Sequence, residues 1–262
     1  MYLPHETELS QAELKSILTH ISKPACVIGG WAVYLTVGKN FSAEHGREYL
    51  GSRDIDLGFH IEKAWTSDEL KASDLALAIR NLTDMGFEPI SFRYVKHFHT
   101  ETRKQLIGQA ARETALHEMF DLYVDPVVDY LHPQTRDALG FVPLDEPLLE
   151  WVFVQQESRK LDLYDRRVVI PSAHVLLAIK LRSVLKRDKE HKRIKDIADI
   201  VALSWYSDEK LSALKNSLAI VVPEQETRSV VDAFTPEDLE RTSGALGMSK
   251  GQVQSILNEL RS

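Results

Sequence analysis

The sequence predicts an α/β fold, with a mixed sheet flanked by helices over residues 1–170 and a helical domain over residues 171–262. In the first part, apolar and polar residues alternate over short segments, which is the period of half-buried strands. Stretches with the 3.6-residue spacing of helices separate these segments. In the second part the apolar spacing is helical throughout, and Pro and Gly residues separate the helices.

The composition is typical of a globular chain, because 44% of the 262 residues are hydrophobic and 27% are charged. The formal net charge of -7 argues against a general nucleic-acid surface, so any such contact needs a local patch. The single cysteine, Cys26, excludes a disulfide framework and favours a reducing compartment. The first residues lack a secretory pattern, and Ala25–Val37 is too short to span a bilayer. We therefore expect a cytoplasmic protein without a membrane segment.

The chain begins with scaffold elements that lead to a glycine pair. The predicted order is a helix over Ser10–Ile21, a strand over Ala25–Ile28, a helix from Trp31 to about Val37 and a polar loop over Gly38–Gly51. Gly29 and Gly30 lie between the strand and its helix, so free backbone N–H groups at the helix start can hold phosphate. The alternative is a tight turn without a ligand.

The next strand carries two carboxylates on one face. From Asp54 to Phe59 the residues alternate, so Asp54, Asp56 and Gly58 share a face opposite three apolar side chains. Neighbouring carboxylates repel unless a positive charge lies between them, and a pair of divalent ions about 3.5–4 Å apart would supply it. The alternative is an exposed polar strand face.

The middle of the chain mixes one clear helix with strands. Thr66–Glu69 is a capping box that begins a helix ending at Gly86. Strands are predicted over Phe87–Phe98, His117–Val124, Trp151–Gln155 and Arg166–Ile170, with an irregular connection over Pro126–Pro147. His97 and His99 have a spacing that could ligate a metal, but a solvated strand face is the commoner reason for it.

The glycine pair followed by the Asp-x-Asp strand resembles the DNA polymerase beta-type nucleotidyltransferase superfamily. The family pattern hG[GS]…Dh[DE]h is matched by Ile28-Gly29-Gly30 and by Asp54-Ile55-Asp56-Leu57, and Ser52 matches a Ser/Thr often found before it. The resemblance implies a nucleotidyltransferase-type sheet that holds a nucleoside triphosphate and two Mg²⁺ ions, which Mn²⁺ can replace. It assigns Gly29, Gly30 and Ser52 to the nucleotide.

The family also takes a third metal-binding carboxylate from a later strand. Asp121, Tyr123 and Asp125 share one face of the strand predicted over His117–Val124. Asp125 abuts Pro126 and is expected at the strand end, so Asp121 is the favoured match. With Asp54 and Asp56 it completes the predicted catalytic and metal-binding set. A structural Asp that accepts a loop amide is the alternative.

Two helices after residue 171 carry a basic patch. Ser172 caps the first, which runs over Ala173–Lys186, and the second runs from about Glu190 to Leu203. Eight Lys and Arg residues fall between Lys180 and Lys195, which favours a triphosphate or an RNA backbone as ligand. Charge pairs on an exposed helix pair are the alternative.

The basic helices resemble the AbiEii/AbiGii abortive-infection branch of nucleotidyltransferases. The matching residues are Lys180, Arg187 and the segment Lys195-Asp196-Ile197-Ala198-Asp199. This resemblance implies that Lys180, with Arg187, binds the triphosphate and that Asp196 is a catalytic residue acting as base or acceptor-positioning group. It also implies a toxin that modifies an RNA or tRNA 3′ end and is neutralised by an antitoxin protein.

The predicted enzyme transfers a nucleoside monophosphate, for example from ATP, to an acceptor hydroxyl. Besides RNA, the acceptor alternatives are an aminoglycoside- or lincosamide-type antibiotic, suggested by Gly29-Gly30-Trp31, and a protein side chain. An inert fold that binds nucleic acid through its last helices is an alternative of another class. Gly247 and Ser249 faintly suggest a helix-turn-helix there, but a packing module explains them better.

Overall fold

The computed structural model describes residues 3–21 and 26–262. The helices are α1 Pro4–His20, α2 Gly29–His45, α3 Ser67–Ala72, α4 Asp74–Asp84, α5 Gln109–Glu113, α6 Thr135–Leu139, α7 Leu149–Phe153, α8 Ala173–Val184, α9 Glu190–Tyr206, α10 Leu211–Val221, α11 Glu224–Asp232, α12 Pro236–Leu246 and α13 Lys250–Arg261. The strands are β1 Cys26–Ile28, β2 Ile55–Phe59, β3 Glu88–Ile90, β4 Arg93–His99, β5 Gln105–Leu106, β6 Met119–Val128, β7 Leu144–Asp145, β8 Ser158–Leu163 and β9 Arg166–Pro171.

These elements form two compact units. One contains Gly51–Ile170 and the described residues up to Ile28, and the other contains Gly29–Leu50 and Pro171–Ser262. Helix α2 therefore belongs to the unit of the C-terminal helices, although it directly follows strand β1 in the chain.

The first unit is built on one mixed sheet with the strand order β3-β4-β6-β2-β1-β9-β8. Strand β2 runs antiparallel to β1 and parallel to β6, and β4 runs antiparallel to β6. The short strands β5 and β7 pair with β4 and β6. The predicted fold class, a mixed sheet flanked by helices and followed by a helical region, is confirmed.

Strand β6 is longer than the sequence suggested, because it continues through Pro126 to Val128. The ladder with β4 covers Met119 to Val124, and the ladder with β7 begins at Val127. Pro126 lies between these two ladders, where its missing N–H is not needed on that side. The prediction that Asp125 ends the strand was therefore wrong.

Two other segments also differ from the sequence prediction. Helix α2 continues through the predicted polar loop to His45, because Val37 and Phe41, both fully buried, extend its apolar stripe. Residues 151–155 were predicted as a strand, but helix α7 includes most of them and buries Leu149 and Val152 one turn apart. Short apolar runs do not separate helix from strand.

Two of the predicted side-chain caps are confirmed, at Thr66 and Ser249, whereas Ser172 is the N-cap residue of α8 without a capping hydrogen bond from its side chain. Thr66 accepts a hydrogen bond from the Glu69 N–H in the predicted capping box, although Ser73 ends α3 early and caps a separate helix α4. Ser249 caps α13 after the left-handed Gly247, as the sequence predicted. The strand predicted over Ala25–Ile28 is observed from Cys26, and Ala25 lies outside the described residues.

The turn between β1 and α2 requires glycine at its first position, because Gly29 has φ 62°. An L side chain in this left-handed region costs about 1–2 kcal/mol. We expect Gly29→Ala to lower the free energy of unfolding by about 1 kcal/mol and Gly29→Asn to lower it less, since Asn tolerates this conformation. Urea unfolding of both variants would check this, and equal losses would contradict the backbone explanation.

Candidate functional site

A row of side chains crosses four neighbouring strands of the sheet. Asp56 on β2 is paired with Ile28 on β1 and with Asp125 on β6. Arg93 on β4 precedes Tyr94, the partner of Val124, so it lies beside Asp125. Directly paired residues on neighbouring strands point to the same face. The row Arg93, Asp125, Asp56, Ile28 therefore places a cation, two carboxylates and an apolar side chain side by side.

Asp125 and Arg93 form a forked ion pair. Arg93 Nε and Nη2 donate to Asp125 Oδ1 and Oδ2 at 2.9 and 2.5 Å. The Asp125 side chain is 7% exposed, and the Arg93 guanidinium also lies 4.4 Å from the centroid of the Tyr123 ring. Two parallel hydrogen bonds to a guanidinium are the strongest pairing that a buried carboxylate can make.

The charge of Arg93 interacts with the whole acidic group. Partial burial acts to lower the pKa of Arg93, but its bonds to Asp125 and the charges of Asp125, Asp54 and Asp56 raise it overall. Asp54 and Asp56 themselves are half-buried, so water and ligands can reach them. The structure thus brings three carboxylates into the field of one arginine.

Ser52, predicted to bind nucleotide, makes a hydrogen bond to the backbone just before strand β2. Its hydroxyl is buried and donates to the Asp54 carbonyl oxygen at 2.8 Å. This bond fixes the backbone immediately before Asp54 and Asp56. In this arrangement the side chain positions the Asp-x-Asp segment.

Asp121, the third carboxylate favoured from the sequence, lies elsewhere along β6. The β2–β6 ladder begins with Ile55 beside Val124, so Asp121 is beyond the start of β2. Asp121 Oδ1 is 2.7 Å from His97 Nδ1, and Oδ2 accepts from the Tyr123 hydroxyl at 3.1 Å. The carboxylate beside Asp56 is Asp125, about 13 Å further along the strand.

Two half-buried carboxylates suit Mg²⁺, which proteins bind through one or two carboxylates together with substrate phosphates. Asp54 and Asp56 are such a pair of half-buried carboxylates, and both oxygens of Asp125 accept from Arg93. Within residues 3–21 and 26–262, no group of three or more His, Cys, Asp and Glu side chains is arranged around a metal position. The donor set fits an ion that completes its coordination with phosphate oxygens.

Lys180, Arg187 and Asp196 are brought together in an ion network, in which Lys180 and Asp196 are buried and the Arg187 side chain is 37% exposed. Lys180 Nζ lies 2.6 Å from Asp196 Oδ1 and 2.8 Å from Asp199 Oδ2, and Arg187 Nε lies 2.5 Å from Asp196 Oδ2. Asp199 Oδ1 also contacts Lys195 Nζ at 2.5 Å. The ammonium groups of Lys180 and Lys195 are thus already paired inside the helical unit.

The network sets the protonation of its members. Burial acts to raise the pKa of Asp196, but the charges of Lys180 and Arg187 and their hydrogen bonds lower it overall. The same carboxylates raise the pKa of Lys180 although burial opposes this. A carboxylate with a lowered pKa is a poor proton acceptor near neutral pH, so the geometry does not favour Asp196 as a base.

The histidine pair on β4 is occupied within the protein. His97 contacts Asp121, and His99 Nδ1 accepts from the backbone N–H groups of Glu101 and Thr102 at 3.2 and 3.4 Å. These contacts favour the structural explanation of the His97 and His99 spacing.

Known proteins give little guidance to the family of this chain. No family model matches the sequence, and no curated protein matches it. Among solved structures, an antigenic nucleotidyltransferase-like protein from Paracoccidioides brasiliensis aligns over 87% of this chain and 92% of its own, with 17% identity and a TM-score of 0.39. At this TM-score the likeness carries no weight in assigning a family. The function of this chain has to be argued from its own residues.

No helix within residues 3–21 and 26–262 combines the length and apolar character needed to cross a membrane.

Arg93, which sequence reasoning missed, is the main basic group of the acidic row. Only the pairing of β4 with β6 brings it to Asp125, so no local pattern could identify it.

Proposed function

We propose that this chain is a nucleotidyltransferase that moves a nucleoside monophosphate from a nucleoside triphosphate to an acceptor hydroxyl. The observation that carries the proposal is the pairing of Asp56 with Asp125 on the neighbouring strand. Asp54 lies two residues before Asp56 on the same strand face. In the chain, the glycine pair follows Ile28, which is the residue paired with Asp56 on the other side. The carboxylates of the β2 segment and the glycine pair after the neighbouring strand β1 are the two halves of the sequence pattern.

Asp54 and Asp56 would hold Mg²⁺, and Asp125 replaces Asp121 as the third carboxylate of the proposal. The bound ion would neutralise charge on the triphosphate and on the leaving pyrophosphate. Arg93 holds Asp125 in place, because its guanidinium donates to both carboxylate oxygens and compensates the buried charge. The two half-buried carboxylates thus lie beside the ion pair of Asp125 and Arg93.

The reaction exchanges one phosphorus–oxygen bond for another. The acceptor oxygen forms a bond to the α-phosphorus, and the bond from that phosphorus to the oxygen bridging to the β-phosphate breaks. Pyrophosphate leaves with this electron pair, and the acceptor proton passes to water. The backbone N–H groups after Gly29 are proposed to bind phosphate, as the sequence pattern predicted.

The finer assignment to the abortive-infection branch rests on the sequence resemblance alone. It proposes an RNA or tRNA 3′ end as acceptor and an antitoxin as partner, with Lys180 and Arg187 on the triphosphate. The pairing of Lys180 with Asp196 and Asp199 would have to open for that contact. Antibiotic and protein acceptors remain the other proposals.

The test is label transfer by the purified protein. Each α-³²P-labelled nucleoside triphosphate is incubated with Mg²⁺ and with tRNA, an antibiotic panel or the protein alone, with and without chelator. We expect label in one acceptor class only, and only with the metal present. No label in any class, together with no triphosphate binding by calorimetry, would overturn the proposal in favour of an inert fold.

A further inference from the structure

A cavity of about 630 Å³ lies in the first unit, and it is lined in part by β1 and β2, the strands that carry Ile28 and Asp56 of the acidic row. Gly58 and Cys26, which face each other across β1 and β2, form part of its floor, and Phe153 of α7 forms part of its wall. Its volume lies within the range of pockets that enclose small organic ligands. The acidic row does not account for this space.

The cavity is on the same face of β2 as Asp56. Cys26 Sγ and Ile28 Cγ2 lie 3.4 and 3.3 Å from the position that a Gly58 Cβ would take, so this face is the one that Asp56 shares with Ile28. Gly58 is two residues after Asp56, which is about 7 Å along a strand. A molecule seated in the cavity would have to span this distance to bring a hydroxyl to the carboxylates.

Aromatic rings form one side of the cavity. The His60 ring lies 6.3 Å from the Trp65 ring and 5.8 Å from the Phe153 ring, measured between centroids. Ring faces attract an ammonium group, and Trp gives the strongest attraction. This wall suits an apolar body, a cation, or a ligand with both.

The charged groups around the cavity are mainly acidic. Glu69 and Asp74 line it, and none of its described lining residues is Lys or Arg. His60 contacts Asp129 through Nδ1 and Glu62 through Nε2. Even with a protonated imidazole, these two carboxylates leave the His60 corner negative. Such a lining repels phosphate and carboxylate groups and attracts cations.

We infer that this cavity binds a small organic molecule carrying an ammonium group, and that this molecule is the acceptor of the proposed transfer. The inference rests on the proposed function for the transfer step, but binding itself does not require it. It favours a small amine over an RNA end, because an RNA backbone would bring phosphates to an acidic lining.

The test compares three probes that share one ring and one phenolic hydroxyl. Tyramine carries an ammonium group, 4-(2-hydroxyethyl)phenol is neutral, and 4-hydroxyphenylacetate carries a carboxylate. Ligand-observed NMR measures their binding without triphosphate or metal. We expect tyramine to bind about five- to thirtyfold more tightly than the neutral probe, with the anion weakest. Equal binding of the three, or preference for the anion, would overturn the inference.

Variants locate the binding. Trp65→Ala should weaken tyramine binding about tenfold, whereas Trp205→Ala, which truncates a half-exposed Trp of the other unit, should not change it. Ala72→Trp fills the cavity from an exposed position and should abolish binding even if the loss of Trp65 disturbs folding. Unchanged binding in Ala72→Trp would place the ligand elsewhere and refute the site.

The same variants separate the two proposals. Tyramine binding in the wild type without transfer to any small amine would count against the acceptor role and leave the pocket intact. Transfer to RNA that persists in Ala72→Trp would refute the acceptor inference while supporting nucleotidyl transfer. Transfer to an amine that Ala72→Trp removes, while triphosphate binding stays, would support both.

Discussion

Asp56→Asn is expected to reduce nucleotidyl transfer about a thousandfold while leaving the protein as stable as the wild type or slightly more stable. The carboxylate is half-buried beside Asp125, and it would supply a ligand for the metal ion. The amide keeps the shape but binds the ion poorly, so transition-state charge on the pyrophosphate is no longer neutralised. Removing one of two adjacent carboxylates also removes a repulsion.

The measurement pairs initial rates of label transfer with thermal unfolding of the same samples. Asp162→Asn is the matched control, since that side chain is 83% exposed on β8, outside the row. The control should retain both activity and stability. If Asp56→Asn lost activity and also melted far below the wild type, Asp56 would be a structural residue and the proposed site would be misplaced.

Lys180→Met is expected to lower the free energy of unfolding by about 3 kcal/mol. The Lys180 ammonium lies between Asp196 and Asp199, whose side chains are 4% and 0% exposed. Without it, both carboxylates keep only part of their compensation, from Arg187 and Lys195. Removing one partner of a buried ion pair leaves a charge in a medium that cannot solvate it.

Urea unfolding of Lys180→Met and of Lys186→Met would test this, because Lys186 is exposed just after the same helix. The control should change stability by less than about 0.5 kcal/mol. A small effect of both variants would show that the network adds little to stability and would leave Lys180 available for a ligand.

The network should also make the stability of the protein depend on pH in the acidic range. The pKa of Asp196 is lowered from its ordinary value of 3.8, so its stabilising contribution is complete above that value and is lost as the pH falls below it. In Lys180→Met the pKa of Asp196 should rise, because its largest compensating charge is gone. We expect the acid-unfolding midpoint of the variant to move to higher pH.

Local patterns in the sequence predicted part of the site. The alternation from Asp54 to Phe59 and the glycine pair depend on neighbouring residues, and the positions of Asp54 and Asp56 on a strand face follow directly. The choice between Asp121 and Asp125 depends on the register of β6 against β2, which the sequence alone does not give. Pro126 led to the incorrect expectation that the strand ends at Asp125, because its missing N–H falls where none is required.

Arg93 and the cavity could not be predicted for a related reason. Arg93 reaches Asp125 only because β4 pairs with β6, and the cavity forms only when α7 packs beside β1 and β2. The helix α2 boundary was predictable in principle, since Val37 and Phe41 continue its apolar spacing. The buried side of α9 was harder to predict, because buried Lys195, Asp196 and Asp199 have the sequence pattern of an exposed charged face.

The row also bears on the stage of folding at which the proposed activity would be acquired. Asp56 and Asp125 are roughly 70 residues apart in the chain, and they meet only through a parallel pairing of distant strands, which is an intrinsically slow step. A partly folded chain with α8 and α9 already formed would hold its helical ion network and still lack the acidic row. If the chain binds triphosphate with metal as proposed, the return of that binding after dilution from urea would therefore report the completion of the sheet.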